Sequence, residues 1–168
     1  MSYRCLTCGQ LHDDLPHIGS AKPDIYWDVP EEERERRIQL TTDTCILDSE
    51  HYFIRGVIEI HVHERPENFG FGAWVSQKRE HFFKYQDEPD SDQIGPFFGW
   101  VCTRIAYYPG DTYLLKALAH FRGGGLRPFI ELEPTDHPLA VDQQNGIDVA
   151  KAWEIVHYYE DLLKNLRR

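Results

Sequence analysis

A chain of 168 residues, 41% hydrophobic and 13% aromatic, has enough apolar side chains for one buried core, and 27% charged residues is ordinary for a globular protein. Asp+Glu 28 against Lys+Arg 18 leaves a formal net charge of -10, which repels phosphate backbones and anionic lipid and so argues against nucleic acid or a membrane surface as partner. No apolar stretch approaches the roughly 20 residues of a membrane helix, and the opening Met-Ser-Tyr-Arg-Cys lacks the charged-then-apolar pattern of a secretory signal. The expectation is one cytoplasmic domain over residues 1–168, in which Cys5, Cys8, Cys45 and Cys102 stay reduced.

In chain order, residues 1–18 hold Cys5-Leu6-Thr7-Cys8-Gly9 and then His12. Such a turn aims two sulfurs at one point, and Gly9 permits the left-handed backbone that the turn needs. It is half of a zinc knuckle. Zinc takes four ligands, so two more must come from His12, His17, Cys45 or Cys102; the expected set is Cys5, Cys8, His12 and Cys45, holding a structural zinc. The plainer alternative is a turn with two reduced thiols. Residues 19–29 read as an irregular linker. A solvated helix over residues 30–39 follows, with Asp28 as its cap, Glu31, Glu32 and Glu33 in the first turn, and Glu32–Arg36 and Glu33–Arg37 as i,i+4 pairs.

Thr41–Leu47 reads as a strand, Asp48-Ser49-Glu50 as a turn, and His51–Val62 as the clearest strand of the chain. Its even positions, Tyr52, Ile54, Gly56, Ile58, Ile60 and Val62, form an apolar face at period two, while Arg55, Glu59, His61 and His63 point to the other side. Glu59, His61 and His63 on one face can in principle converge on a metal, but a half-exposed sheet face is the simpler expectation. Phe69–Ser76 is a further strand, Lys78–Gln86 a short helix, and Asp87–Asp92 a solvated acidic loop. Phe97–Ile105 and Thr112–Arg122 form a hairpin about the Tyr108-Pro109-Gly110-Asp111 turn. Arg127–Glu133 is extended, a turn follows at Pro134-Thr135-Asp136, and Thr135 or Asp136 caps a short helix starting near His137. Asp148 caps the last helix, whose stripe of Val149, Ala152, Trp153, Val156, Tyr159, Leu163 and Leu166 lies on the sheet. The fold class expected is α+β: a mainly antiparallel sheet, a C-terminal amphipathic helix, one or two further helices packed on it, and the short N-terminal knuckle.

The corner at residues 127–147 concentrates the chemistry. Arg127, Phe129, Glu131 and Glu133 share one face of the strand, and Asp136-His137 sits at a helix start. A carboxylate beside an imidazole can raise its basicity, and Arg55 can hold an anion, so Glu131, Glu133, Asp136, His137 and Arg55 are the catalytic candidates of a small-molecule hydrolase. No nucleophile elbow and no His-Glu-x-x-His motif accompanies them. A simpler expectation is a brace in which Arg55 and Arg127 neutralise Glu131 and Glu133. The main functional expectation is a non-catalytic binding or interaction module whose partner is a basic protein or a small molecule; the hydrolase is the alternative.

The chain also resembles an uncharacterised, mainly bacterial family, domain of unknown function 2199, over nearly its whole length. The resemblance rests on Cys5-Leu6-Thr7-Cys8-Gly9 with His12, on Asp43-Thr44-Cys45, Phe53-Ile54-Arg55-Gly56, Trp74-Val75-Ser76 and Phe98-Gly99-Trp100, and above all on the run from Arg127 through Ala140. It implies no activity.

Overall fold

The computed structural model describes residues 2–167. A small hairpin, β1 (Tyr3–Arg4) and β2 (Leu11–His12), precedes two short helices, α1 (Ile25–Asp28) and α2 (Glu31–Arg37). Next come β3 (Ile38–Leu40), β4 (Thr44–Leu47), β5 (His51–Ile60), β6 (Phe69–Gln77), α3 (Arg79–Asp87), β7 (Phe97–Trp100), β8 (Lys116–His120) and β9 (Phe129–Leu132). Helices α4 (Pro138–Asn145) and α5 (Val149–Leu166) close the order. The main sheet runs β3-β4-β5-β9-β8-β7, with β6 on the other edge of β5. All its named pairings are antiparallel except β5 with β9. An antiparallel bridge between Val75 and Val101, and a 2.7 Å bond from the Cys102 N–H to the Trp74 carbonyl, bring the two ends of the sheet together and curl it.

The period-two pattern of β5 sets the layers. Tyr52, Ile54, Ile58 and Ile60 point inward with Phe69, Phe71, Ala73 and Val75 of β6, Ala117 and Ala119 of β8, and Ile130 and Leu132 of β9. Leu139 and Ala140 of α4 and Ala152, Trp153, Ile155 and Val156 of α5 complete this core. A second, smaller cluster lies on the opposite face: Phe53, Trp74, Cys45, Leu47, Cys102 and Val29, with Ile25, Ile38 and Leu40 packed on it. The α1–α2 segment therefore covers the outside of the sheet at β4, β5 and β6.

Several boundaries differ from the sequence reading, each for a local reason. Ile38–Leu40 leaves the helix for a strand because Ile38 and Leu40 alternate with Gln39 and pair with Leu47 and Cys45. Asp28 belongs to α1, inside the expected linker, and the N-cap of α2 is Pro30. The Glu33–Arg37 pair forms at 2.7 Å, whereas Arg36 turns to Glu33 at 4.0 Å. Strand β7 stops at Trp100 because the next residues cross to β6. The apolar stripe of α5 is used as far as Tyr159, and Leu163 and Leu166 beyond it are exposed.

Strands β5 and β9 run parallel with one register pair, Val57 with Phe129. Beyond it the ladder ends, and the Gln143 side chain of α4 takes over. Its Oε1 accepts from the Leu132 N–H at 2.7 Å, and its Nε2 donates to the carbonyls of Ile130 at 2.8 Å and Glu59 at 3.4 Å. One amide thus satisfies backbone groups that a longer ladder would have paired. Gln143→Leu keeps the size and strands those groups, at a cost of ~2–4 kcal/mol given the penalty for each unsatisfied buried group. Urea denaturation should show a lower midpoint at unchanged slope; an unmoved midpoint would show that Gln143 braces nothing.

Candidate functional site

The strongest cluster of chemical groups joins the two ends of the chain. In the N-terminal hairpin Tyr3 pairs with His12 and Arg4 with Leu11. The turn is closed by the Cys5 N–H donating to the Gln10 carbonyl at 2.8 Å and the Gly9 N–H donating to the Cys5 carbonyl at 2.9 Å. Gly9 sits at φ 72, a conformation that a side chain would strain. This knuckle directs Cys5 and Cys8 to the same side, and His12 returns on β2 beside them. The fourth group comes from α5: His157, one turn after Trp153.

Donor atoms of Cys5, Cys8, His12 and His157 all lie within 4.8 Å of one another, and the four can hold a metal ion. Cys5 Sγ is 3.3 Å from His157 Nε2, and Cys8 Sγ is 3.1 Å from His12 Nε2. Tetrahedral zinc with its usual Zn–S and Zn–N bonds places neighbouring donors about 3.3–3.8 Å apart, so the groups stand near the required spacing. The imidazoles are held from behind. The Nδ1–H of His157 donates to Glu160 at 2.8 Å, leaving Nε2 toward the sulfurs, as second-layer carboxylates do at metal centres. The His12 ring stacks on Trp153 at 3.8 Å between centroids and 17° between planes.

Electrostatics favours the ligand form of Cys5. Burial opposes its thiolate, but the backbone N–H groups of Cys8 and Thr7 and the His157 imidazole outweigh it and bring the thiol down to about 6. For His157, burial works against the charged ring, while Glu160 and Cys5 prevail and raise its pKa. The expected ligand Cys45 is placed elsewhere. It is fully buried in the second core cluster opposite Phe53, and desolvation pushes its thiol up to about 11. The fourth member of the cluster is His157, which the sequence reading missed because its helix was read as an apolar stripe. The polar pair His157 and Glu160, set beside that stripe at i+4 and i+7 from Trp153, was the available signal.

The polar corner is built differently from the expected brace. Phe129–Leu132 is extended, but Arg127 pairs with Asp43 at 2.6 Å, and Arg55 Nη1 donates to the Thr42 carbonyl at 3.3 Å. Both guanidinium groups thus lean toward the β3–β4 loop. Glu131 instead meets His120 at 3.5 Å, and Glu133 meets Lys116 at 3.9 Å. His137 itself caps α4: its Nδ1 accepts from the Leu139 N–H at 3.1 Å, while Thr135 Oγ1 accepts from the His137 N–H at 3.2 Å. Asp136 is exposed and is not the cap. The structure therefore does not gather Glu131, Glu133, Asp136, His137 and Arg55 around one point. On β5, Glu59 is taken by Arg122 at 2.5 Å and Asn68 at 3.3 Å, while His63, past the end of that strand, has its Nε2 2.9 Å from the Asn145 carbonyl. Among the described residues, the one group with metal-holding spacing is the Cys–His cluster.

Residues 4–147 match the model of a family described as an uncharacterized protein conserved in bacteria. His157 lies past the matched span. No curated protein and no solved structure matches the chain.

In metal-free protein, ultraviolet thiolate absorbance should show one thiol titrating with a midpoint at about 6, while Cys45 at about 11 and Cys102 at about 12 stay protonated through neutral pH. Cys5→Ser should remove the low step. The depressed Cys5 stabilises the metal-free fold fully above its ordinary value and loses that contribution as pH falls through about 6. His157, raised, works in the opposite sense and loses its contribution as pH rises through its folded value. A first thiol titrating only near its ordinary range would contradict this assignment.

Proposed function

The chain belongs to the DUF2199 family of uncharacterised bacterial proteins, and we propose that it is a non-catalytic binding module whose two ends are joined by a structural zinc on Cys5, Cys8, His12 and His157. The support is the donor set: two thiols and two imidazoles within 4.8 Å make a complete tetrahedral set, with no position left for water or substrate. Closed four-ligand sites of this kind serve stability, whereas catalytic zinc keeps an open position. The bulk properties agree. A net charge of -10 suits a basic protein or small molecule better than nucleic acid, and four cysteines outside any disulfide suit the cytoplasm. No helix among the described residues is long and apolar enough to cross a membrane. The hydrolase alternative has less support, since Arg55 and His137 are engaged away from Glu131 and Glu133.

Elemental analysis of the purified protein should find about one zinc per chain. Cys8→Ser and His157→Asn should each abolish it. Loss of the metal should destabilise the fold by about as much as loss of a disulfide of long span, ~2–5 kcal/mol. After replacement by cobalt, the visible spectrum should be that of a tetrahedral two-sulfur, two-nitrogen centre and should not change with azide. Absence of metal would defeat the staple, and a spectrum that shifts with azide would mean an open, catalytic position.

A further inference from the structure

The outer face of the sheet is clothed by α1 and α2 at one end and bare at the other. On the bare part, register places Phe98, Leu118 and Glu131 in one cross-strand row, and Trp100 and Lys116 in the next. Glu133 joins the second row through its N–H bond to the Lys116 carbonyl at 2.8 Å. Phe98 is 43% and Trp100 39% exposed, with their rings edge-to-face at 5.3 Å. Between the rows lies a concavity of about 230 Å³, walled by Phe98, Leu118 and Pro134 and rimmed by Glu131, Glu133 and Lys116. Large aromatics kept at the surface beside a hollow mark binding faces more often than they mark stability.

From this arrangement we propose that the hollow receives an arginine or lysine side chain from the surface of a partner protein. The proposal rests on the reading of the chain as a non-catalytic binding module and names that module's partner. Its walls and rim match the two parts of such a side chain: apolar surface for the methylene stem, carboxylates for the charged head. Glu131 and Glu133 are each 52% exposed, so both oxygens can be reached. Glu131 has the His120 imidazole 3.5 Å away and, among the described residues, no guanidinium or ammonium as partner, and Glu133 holds Lys116 only loosely at 3.9 Å. Lys116 already shows the chemistry in miniature, because its ammonium stands by Glu133 and 5.9 Å from the centre of the Trp100 ring. The net charge of -10 favours a basic partner at long range as well.

Addition of a partner strand to β7 is disfavoured by the same structure. Its far edge is occupied by β6: the Trp100 N–H donates to Ser76 Oγ at 3.0 Å, and a Cβ on Gly99 would lie 2.2 Å from the Ser76 carbonyl. Recognition therefore falls to side chains on the face and not to backbone pairing.

The test is a nuclear-magnetic-resonance titration of the metal-loaded full chain with a dodecapeptide of alternating arginine and valine, against the same peptide carrying glutamate for arginine. Shifts should cluster on Phe98, Trp100, Leu118, Glu131 and Glu133 with the basic peptide only, and weaken at high salt. The Glu131→Gln, Glu133→Gln double variant should lose about tenfold in affinity, and Phe98→Ala should lose a comparable amount. Both changes are on exposed positions, and unaltered spectra elsewhere will show that the fold survives. The proposal is overturned by no shifts at ~1 mM peptide, or by shifts spread over the acidic surface that the double variant leaves intact. It is equally overturned if the chain dimerises through this face, so that Phe98→Ala yields monomer. In those three outcomes the binding-module reading stands without this partner; a peptide cleaved during the titration would overturn that reading too.

Discussion

One missing side chain sets the course of the sheet. Strand β5 has β4 and β9 along one edge and β6 along the other, and β9 enters at Gly56, where a Cβ would lie 2.5 Å from Ile130 Cδ1 and 2.8 Å from the Pro128 carbonyl. Any larger residue would have to displace a strand. Since β9 docks parallel with only one register pair, the antiparallel partners that follow it, β8 and then β7, are carried round until Val101 meets Val75. The curl closes the inner faces over an apolar core and leaves the outer face of β7, β8 and β9 bare. The Cys–His cluster and the bare face are both consequences. The first arises because α4 and α5, after β9, must return across the opening of the curl and bring His157 to the N-terminal hairpin.

A chain with more carboxylates than cations must leave some acids without strong partners, and the fold decides which. The arginines next to the polar corner are drawn to the β3–β4 loop: Arg127 to Asp43 and Arg55 to the Thr42 carbonyl. Burial also lowers the Arg55 pKa, with Arg127 adding repulsion, so a second cation there stabilises little. Arg122 is fully used, with Glu59 on one side and the Arg127 carbonyl on the other. What is left for Glu131 and Glu133 is a histidine and a lysine, both part-exposed, and surface pairs of that kind contribute little to stability. Two acids, Glu131 on β9 and Glu133 just past its end, lack strong internal partners and are available to something outside the chain. That availability distinguishes them from Asp142, which is buried and committed to Tyr108 at 2.8 Å and Lys151 at 2.7 Å.

Much of this was legible in the sequence wherever one period governed one environment. His51–Ile60 alternates because one face meets the core, and its extent was read to within two residues of its observed end. The cap of α5 was equally local: Asp148 accepts from the Lys151 N–H at 2.7 Å. Reading failed where partners distant in sequence decide the outcome. Nothing near Arg127 says that Asp43 will take it, because the contact depends on β4 and β9 lying along the same edge of β5. Cys45 has the right chemistry for a ligand, but its strand sends it into an apolar cluster where a thiolate is strongly disfavoured. His157 is separated from Cys5 by 152 positions, so no spacing rule could join them.

The cluster also sits where packing alone would let the last helix go. In α5 the buried residues end at Val156; Tyr158, Leu162, Leu163 and Leu166 are exposed, Leu166 at 76%. Beyond Tyr159, which still packs on the core, the helix therefore gains little from the hydrophobic effect, and its terminal turns would be free to fray. The N-terminal hairpin is weaker still: two strands of two residues with Leu6 and Leu11 exposed, far short of what holds a hairpin by itself in water. Each element is marginal alone. Cys5, sunk into the core cluster, and the stack of His12 on Trp153 already bring them together, and a metal on the four donors would fix both at the point where apolar burial runs out. The core of this chain is ample elsewhere, and the seam between its first and last elements is where such a metal would add what burial does not supply.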